Sequence, residues 1–130
     1  MNYSFPKEEK LKSKKCIDLL FSEGNSVSKF PLKLIYTATE LPKNVPAQAG
    51  VSVTKRRFKK AVTRNRIKRL MREAYRLHKN DVFNTISTSY AFMFLYIGKQ
   101  EPTFEEIENA MIGLLQKFLA KTATQNTPEK

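Results

Sequence analysis

The spacing of apolar residues predicts an amphipathic helix near each end of the chain. The first covers Lys10 to Glu23 and is capped by Ser13. The last opens with a capping box, because Glu106 follows Thr103 by three residues, and runs to about Leu119. The apolar face of the first helix consists of Leu11, Ile17, Leu20 and Phe21, and that of the last consists of Ile107, Ala110, Met111, Leu114, Leu115 and Phe118.

Three further segments have the apolar pattern of strands. Leu32 to Thr39 alternates, and Ala49 to Thr54 follows a proline-bracketed turn at 42–46, so the two are predicted to form an antiparallel hairpin. Tyr90 to Gly98 is apolar on both faces, which is typical of a central strand covered on both sides. The polar segment Asn25 to Lys29 is predicted to be a loop.

The strongest helical pattern runs from Ala61 to Lys79, before Asn80 and Asp81, and it separates into two faces. The apolar stripe, which must face the sheet, consists of Ile67, Leu70, Met71, Ala74 and Leu77. The opposite side carries Asn65, Lys68, Arg69, Arg72, Arg76 and Lys79, with Arg64 and Arg66 at its start. Glu73 is predicted to pair with Arg69, four residues earlier.

These elements predict one α+β domain over residues 1–121, followed by a flexible polar tail over residues 122–130. A hydrophobic content of 41% is enough for a packed core. The longest apolar run, Tyr90 to Ile97, is far shorter than the ~20 residues of a membrane span. With no apolar leader and a single cysteine, Cys16, the expected location is the cytoplasm.

The positive charge is concentrated in one segment. The net charge is +12, and twelve of the 24 Lys and Arg residues lie between Lys55 and Lys79, opposed by Glu73 alone. A surface that serves solubility alone carries charges of both signs, because like charges at helical spacing weaken a helix. Arginine suits bidentate contacts to phosphate. The segment therefore predicts a nucleic-acid partner and salt-sensitive binding. For roughly five phosphate contacts, the logarithm of the binding constant should fall with the logarithm of the salt concentration with a slope of about −4.

No set of residues in the sequence indicates catalysis by this chain. A nuclease needs a carboxylate cluster for metal ions or a positioned acid–base pair, and the basic segment has one carboxylate. His78 is interpreted as structural, and Cys16 has no imidazole assigned nearby. We therefore predict no catalytic and no metal-ligating side chains, and the sequence indicates no protein partner.

Two stretches of the sequence carry a family resemblance. They are Gly50-Val-Ser-Val-Thr-Lys-Arg and Ala61-Val-Thr-Arg-Asn-Arg-Ile-Lys-Arg-Leu-Met-Arg-Glu-Ala-Tyr. Together they closely resemble the bacterial ribonuclease P protein component, and Arg64-Asn65-Arg66 looks like its signature. Lys10-Leu11-Lys12, Phe21 before Gly24, and Ser26-Val27 occur in that family's order, so the resemblance covers about residues 5 to 120.

The resemblance implies a two-layer α–β sandwich with the order helix-strand-strand-strand-helix-strand-helix. It also implies a left-handed crossover around the basic helix, where general rules predict a right-handed one. Two positions depart from the family pattern. Ile17 stands where many members carry an aromatic residue, and Phe58, after an extra Arg57, stands where many have glycine.

The resemblance also implies a function. The protein would bind a large catalytic RNA and the 5′ leader of precursor tRNA, and would assist Mg²⁺-dependent removal of the leader. Catalysis would belong to the RNA, which would bind most of the Mg²⁺. The residues implied to contact RNA are Lys55, Arg56, Arg64, Asn65, Arg66, Lys68, Arg69, Arg72 and Arg76. A cleft between the first helix and the sheet would hold the leader, lined by Phe21, Tyr36 and Lys55.

Three other classes of protein compete with this interpretation. A DNA-reading helix-turn-helix protein would need a helix just before the basic one, where the sequence predicts a strand and a connector. An RNA-recognition motif would use aromatic residues of the strand at 90–98, but its strand signature is missing. A structural ribosomal protein, or another protein that binds ribosomal RNA, fits the charge and size, and the family motif alone argues against it.

Overall fold

The computed structural model describes residues 5–41 and 45–126. Its helices are α1 (Lys14–Glu23), α2 (Ala61–Phe83) and α3 (Phe104–Asn126), preceded by a 3-10 turn at Lys7–Glu9. Its strands are β1 (Asn25–Lys29), β2 (Leu32–Ala38), β3 (Ala47–Val53) and β4 (Tyr90–Tyr96). The α+β class and the element order implied by the family resemblance are confirmed. The left-handed sense of the crossover stays a prediction.

The strands form one sheet in the order β1-β2-β4-β3. β4 pairs antiparallel with β2 and parallel with β3, so the predicted hairpin between β2 and β3 is wrong. β4 takes the central position because both of its faces are apolar and must be covered. The hairpin partner of β2 is β1, in the segment that was predicted to be a loop. As an edge strand with four of its five residues exposed, β1 lacks the apolar alternation that identifies a strand.

The two faces of the sheet carry different cores. On one face, α2 and α3 pack against the aromatic side chains of β4, which are Tyr90, Phe92, Phe94 and Tyr96. On the other face, α1 covers a smaller cluster made of Leu11, Leu20, Ile35, Ala91 and Met93. The sheet and the α2–α3 pair are thus the two main layers, and α1 covers part of the second face. This double covering of β4 confirms its predicted central position.

The helix termini follow the predicted caps at two places. Ser13 Oγ accepts a hydrogen bond from the Cys16 N–H at 3.2 Å, although α1 begins at Lys14 and not at Lys10. At α3, the Glu106 N–H donates to Thr103 Oγ1 at 3.2 Å, and the Thr103 N–H donates to Glu106 Oε1 at 2.8 Å. The six apolar residues predicted to line α3 are all buried.

Two helices continue beyond their predicted ends. α2 runs through Asn80 and Asp81 to Phe83, because Val82 is fully buried and tertiary packing outweighs local sequence preference. α3 continues to Asn126, and Thr122 is buried. The domain boundary at 121 and the polar tail from 122 are therefore corrected, since that boundary falls inside a packed helix. The residues at 127–130, like the predicted turn position Pro42, lie outside the described residues.

Contacts from the same chain cover both edges of the sheet. At β1, Lys117 Nζ donates to the Ser28 carbonyl at 2.8 Å and Lys121 Nζ to the Ser26 carbonyl at 3.1 Å. At β3, the N-terminal strap, which we define as residues 5–12, runs beside the strand, and the Leu11 N–H donates to the Ala49 carbonyl at 2.9 Å. Across 5–41 and 45–126, no helix has the length and apolar character that a bilayer crossing requires.

Candidate RNA interface

The connector between β3 and α2 presents cations because its one apolar residue is anchored inside. Phe58 is buried, with its ring centroid 5.8 Å from that of Tyr96. The basic side chains on either side of it are exposed, and Arg57 donates to the Ile97 carbonyl at 2.6 Å. Lys55 and Arg56, both predicted to contact RNA, are therefore accessible to a polyanion.

The first turns of α2 use two arginines to fix the start of the helix. Arg64 Nη1 donates to the Phe58 carbonyl at 2.8 Å and to the Lys59 carbonyl at 2.9 Å. Arg66 Nη1 lies 3.3 Å from Glu101 Oε1 and donates to the Pro102 carbonyl at 3.2 Å. Both side chains remain partly exposed, so each can add a phosphate contact to its structural one. Asn65 between them is exposed and does not cap the helix.

The next turns of α2 carry cations that lack acidic partners. We define the open cationic face as Lys68, Arg69 and Arg72. Arg69 and Arg72 are exposed and Lys68 is half-buried. Across residues 5–41 and 45–126, the ion pairs involve other cations and leave these three without a carboxylate partner. Three adjacent unpaired cations with apolar packing beneath them form a surface suited to phosphates.

The last turns of α2 differ, because their cations already have acidic partners. Arg76 donates to both oxygens of Glu73, at 3.0 Å from Nε and 2.6 Å from Nη2. The prediction that Glu73 pairs with Arg69 is therefore wrong. The hydrogen bond from Arg76 lowers the pKa of Glu73 below the usual glutamate range. Lys79, predicted to be exposed, is 1% exposed and pairs with Glu9.

A cleft of about 280 Å³ lies beside β3, between the N-terminal strap and α1. Its walls consist of Phe5, Lys10, Leu11, Lys12, Ile17, Ala49, Gly50, Val51, Arg72 and Met93. Arg72 connects the cleft to the open cationic face. Gly50 leaves room in the wall, since a Cβ there would lie 3.2 Å from Met93 Cε. The cleft thus combines positive charge with apolar surface.

The residues predicted to line a leader cleft are not brought together here. Tyr36 is buried on the opposite face of the sheet, with its ring centroid 4.8 Å from that of Phe118, so the prediction for Tyr36 is wrong. Phe21 is 55% exposed on α1, and Lys55 lies beyond the end of β3; neither is in the cleft wall. Sequence reasoning missed the cleft positions of Lys10 and Lys12, although their triplet with Leu11 was part of the resemblance.

His78 and Cys16, the two remaining candidate side chains, have no catalytic arrangement in the described residues. His78 Nε2 lies 2.9 Å from Glu108 Oε2, which links α2 to α3 in agreement with the structural interpretation of this residue. Burial raises the pKa of the Cys16 thiol. Within the described ranges, no group of three or more His, Cys, Asp or Glu side chains is arranged to hold a metal ion.

The fold and this surface together define a small, basic protein of the α+β class with an exposed cationic surface on α2. The profile of the Ribonuclease P family matches residues 5–119. The chain therefore belongs to the Ribonuclease P family, whose curated relatives are ribonuclease P protein components.

Relatives of known sequence support this assignment over most of the chain. The ribonuclease P protein component of Porphyromonas gingivalis is 36% identical over 124 residues, which cover 93% of this chain and 88% of the relative. That of Chlorobaculum tepidum is 42% identical over 134 aligned positions, covering 94% of this chain and 87% of the relative.

Solved structures share the fold at lower sequence identity. The RNase P protein of Staphylococcus aureus superimposes with a TM-score of 0.68 at 23% identity, covering 86% of this chain and 96% of the other. That of Thermotoga maritima gives 0.66 at 21% identity, covering 84% and 96%. At these identities the similarity concerns the fold alone.

Proposed function

We propose that this chain acts in the cytoplasm as the protein subunit that helps a catalytic RNA to remove the 5′ leader from precursor tRNA. The observation that carries the proposal is the open cationic face beside the cleft, on a chain of this family. Two adjoining surfaces of different character suit two RNA partners. The catalytic RNA would dock on α2 and its connector, and the leader would enter the cleft.

The open cationic face suits a folded RNA because its charges are held on a rigid element. Ile67, Met71 and Ala74 are fully buried beneath it, so α2 is fixed against the sheet. Lys68, Arg69 and Arg72 therefore reach phosphates without the cost of ordering a loop. The exposed connector residues Lys55 and Arg56 extend the same surface.

The cleft suits a single strand because such a ligand presents phosphates and unstacked bases together. Lys10, Lys12 and Arg72 offer cations to the phosphates, and Ile17 and Met93 offer apolar surface to a base. Ile17 provides this surface without the ring that many family members carry. Base contacts here would therefore rely on dispersion and solvent exclusion more than on stacking.

Mg²⁺ in this proposal is bound mainly by the catalytic RNA, where it would activate the attacking water and stabilise the leaving oxygen. The residues of this chain bind and orient the two RNA molecules. Cations of the open face would lower the Mg²⁺ concentration that the assembly needs, because they offset phosphate repulsion between the catalytic RNA and its substrate.

Cleavage of precursor tRNA at limiting Mg²⁺ tests this proposal. The rate is measured for the catalytic RNA alone, with this protein, and with a Lys68→Ala/Arg69→Ala/Arg72→Ala variant. We expect the protein to raise the rate at low Mg²⁺ and the triple variant to lose most of that gain while keeping a native circular dichroism spectrum.

Two outcomes would contradict the proposal. One is a cleavage rate that saturating protein leaves unchanged at every Mg²⁺ concentration. The other is equal affinity, at matched salt, for the catalytic RNA and for a ribosomal RNA fragment of similar length. That second result would support a structural protein that binds ribosomal RNA.

A further inference from the structure

The N-terminal strap is fastened to α2 by a buried ion pair between Glu9 and Lys79. The side chains are 9% and 1% exposed, and the two residues are seventy positions apart in the sequence. Two hydrogen bonds hold the strap to β3 as well: the Leu11 N–H donates to the Ala49 carbonyl, and the side-chain amide Nε2 of Gln48 donates to the Glu8 carbonyl at 3.0 Å.

Aromatic rings enclose this ion pair. Lys79 Nζ lies 5.1 Å from the ring centroid of Phe83 and 6.0 Å from that of Phe5. Phe5 packs edge-on against Tyr75 with ring centroids 5.6 Å apart. Within the described residues, the buried Tyr75 hydroxyl has no hydrogen-bond partner, and burial together with the Glu9 carboxylate raises the pKa of Tyr75. The surroundings are therefore apolar, and a charge left there without its partner would be strongly unfavourable.

The same strap builds one wall of the cleft. Phe5, Lys10, Leu11 and Lys12 all belong to the strap and all line the cleft. Arg72 lines it from α2, seven residues before Lys79. Residues seven apart in a helix lie on the same side, about 10 Å from each other along the axis. One side of α2 thus holds the strap at one point and faces the cleft at another.

We infer that Glu9 and Lys79 are positioning residues for leader binding, because their ion pair holds the strap lysines across the cleft from Arg72. This inference rests on the proposed function, in which the cleft receives the leader. Glu9 and Lys79 do not touch the leader, being enclosed in the protein. Their effect reaches the RNA through Lys10 and Lys12.

Two variants separate positioning from direct contact. Lys79→Met leaves the Glu9 carboxylate buried without its partner, so the strap must leave α2 for the carboxylate to be hydrated. Glu9→Leu combined with Lys79→Met places an apolar pair among the same rings, and apolar replacement of a buried ion pair preserves packing. In the double variant the strap is therefore expected to stay packed on α2, although both charges are absent.

The readout is the leader-dependent part of substrate affinity. The holoenzyme, reconstituted with the catalytic RNA, is titrated with precursor tRNA and with the same tRNA lacking the leader. The dissociation constant for the tRNA without the leader is divided by that for precursor tRNA, and this ratio is compared among the variants. We expect Lys79→Met to reduce this ratio by about tenfold, which corresponds to losing one charge-assisted contact. The double variant is expected to stay within about twofold of the unmodified protein.

Hydrogen exchange at the Leu11 amide gives a second readout without RNA. Exchange should be faster in Lys79→Met and as slow in the double variant as in the unmodified protein, since this amide bonds to the Ala49 carbonyl only when the strap is in place. Should Lys79→Met not fold, Glu9→Gln replaces it with the same expected direction.

The outcomes distinguish this inference from the proposed function. If the unmodified protein gives equal affinities with and without the leader, the leader function is wrong and the positioning role falls with it. If the unmodified protein binds precursor tRNA more tightly than the tRNA without the leader, and Lys79→Met shows the same ratio, the positioning role alone is wrong. A double variant as impaired as Lys79→Met also overturns it, since the charges themselves would then be required.

Discussion

The middle and the last turns of α2 use the same residue types in opposite ways. At Lys68, Arg69 and Arg72 the cations face outward without carboxylate partners in the described parts of the chain. About one turn after Arg72, Arg76 is held by Glu73, and about two turns after it, Lys79 is buried with Glu9. A continuous basic run in the sequence is therefore divided in the structure. Its middle part is available to a polyanion, whereas in its last part Arg76 is paired within the helix and Lys79 fastens the strap to α2.

This difference follows from what lies beneath each part of the helix. Near Lys68, Ile67 and Met71 are fully buried against the sheet, and the polar side of α2 is exposed to water. Near Lys79, the N-terminal strap lies over the helix and removes that side from water. A cation there must be neutralised, since a buried charge without a partner is strongly unfavourable. The Glu9 carboxylate of the strap pairs with Lys79 at this point.

The largest expected difference between the two parts is in stability. Lys79→Met should lower the free energy of unfolding by about 3–5 kcal/mol, because Glu9 loses its partner and the strap must give up its packing on α2 for the carboxylate to reach water. Lys68→Met, the same substitution in the open part, should change it by less than about 0.5 kcal/mol. Urea denaturation of both variants measures the two values. Equal losses would mean that the division of α2 is wrong.

The next largest effect is on RNA affinity. Arg69→Ala should weaken binding to the catalytic RNA by about tenfold and reduce the steepness of the log–log salt dependence by about one. Glu73→Gln should act in the opposite direction, because it releases Arg76 from its carboxylate partner and makes the slope steeper. Filter binding over a range of salt concentrations measures both slopes. A Glu73→Gln variant that binds RNA more weakly than the unmodified protein would contradict this expectation.

The smallest effect is the pH dependence of the Glu73–Arg76 pair. Arg76 lowers the pKa of Glu73, so the folded state binds a proton less readily than the unfolded state. The pair's contribution to stability is therefore complete above the ordinary glutamate pKa of about 4.3 and is lost as pH falls through the lower value of the folded protein. Urea midpoints from pH 6 to 3 should show the advantage over Glu73→Gln disappearing at the acidic end. A constant difference would disprove the coupling.

Local signals predicted the helices better than the sheet. The Ser13 cap and the Thr103–Glu106 box depend on residues three apart, and both are observed. The apolar stripe of α3 depends on the same short-range periodicity. Strand pairing, by contrast, is non-local: β4 lies between β2 and β3, although Tyr90–Tyr96 follows them in the sequence by an entire helix. Its two apolar faces indicated a central strand and could have excluded the predicted hairpin.

The candidate site shows the same limit. The alternation of β2 places Tyr36 on the same face as Leu32 and Leu34, but it does not indicate which helix covers that face. α2 and α3 cover it, so Tyr36 is buried away from α1. Lys79 was placed on the exposed face because its partner, Glu9, belongs to a segment seventy residues earlier. The position of Lys68, Arg69 and Arg72 opposite the apolar stripe of α2 could be predicted from helical periodicity and charge alone.

Covering both edges of the sheet has a consequence for how the protein behaves before it meets RNA. An unprotected edge strand can recruit a strand from a second copy and start aggregation. Here the ammonium groups of Lys117 and Lys121 donate hydrogen bonds to carbonyls of β1, and the Leu11 N–H of the strap donates one to the Ala49 carbonyl of β3. These carbonyls are therefore less available to pair with a strand of a second copy.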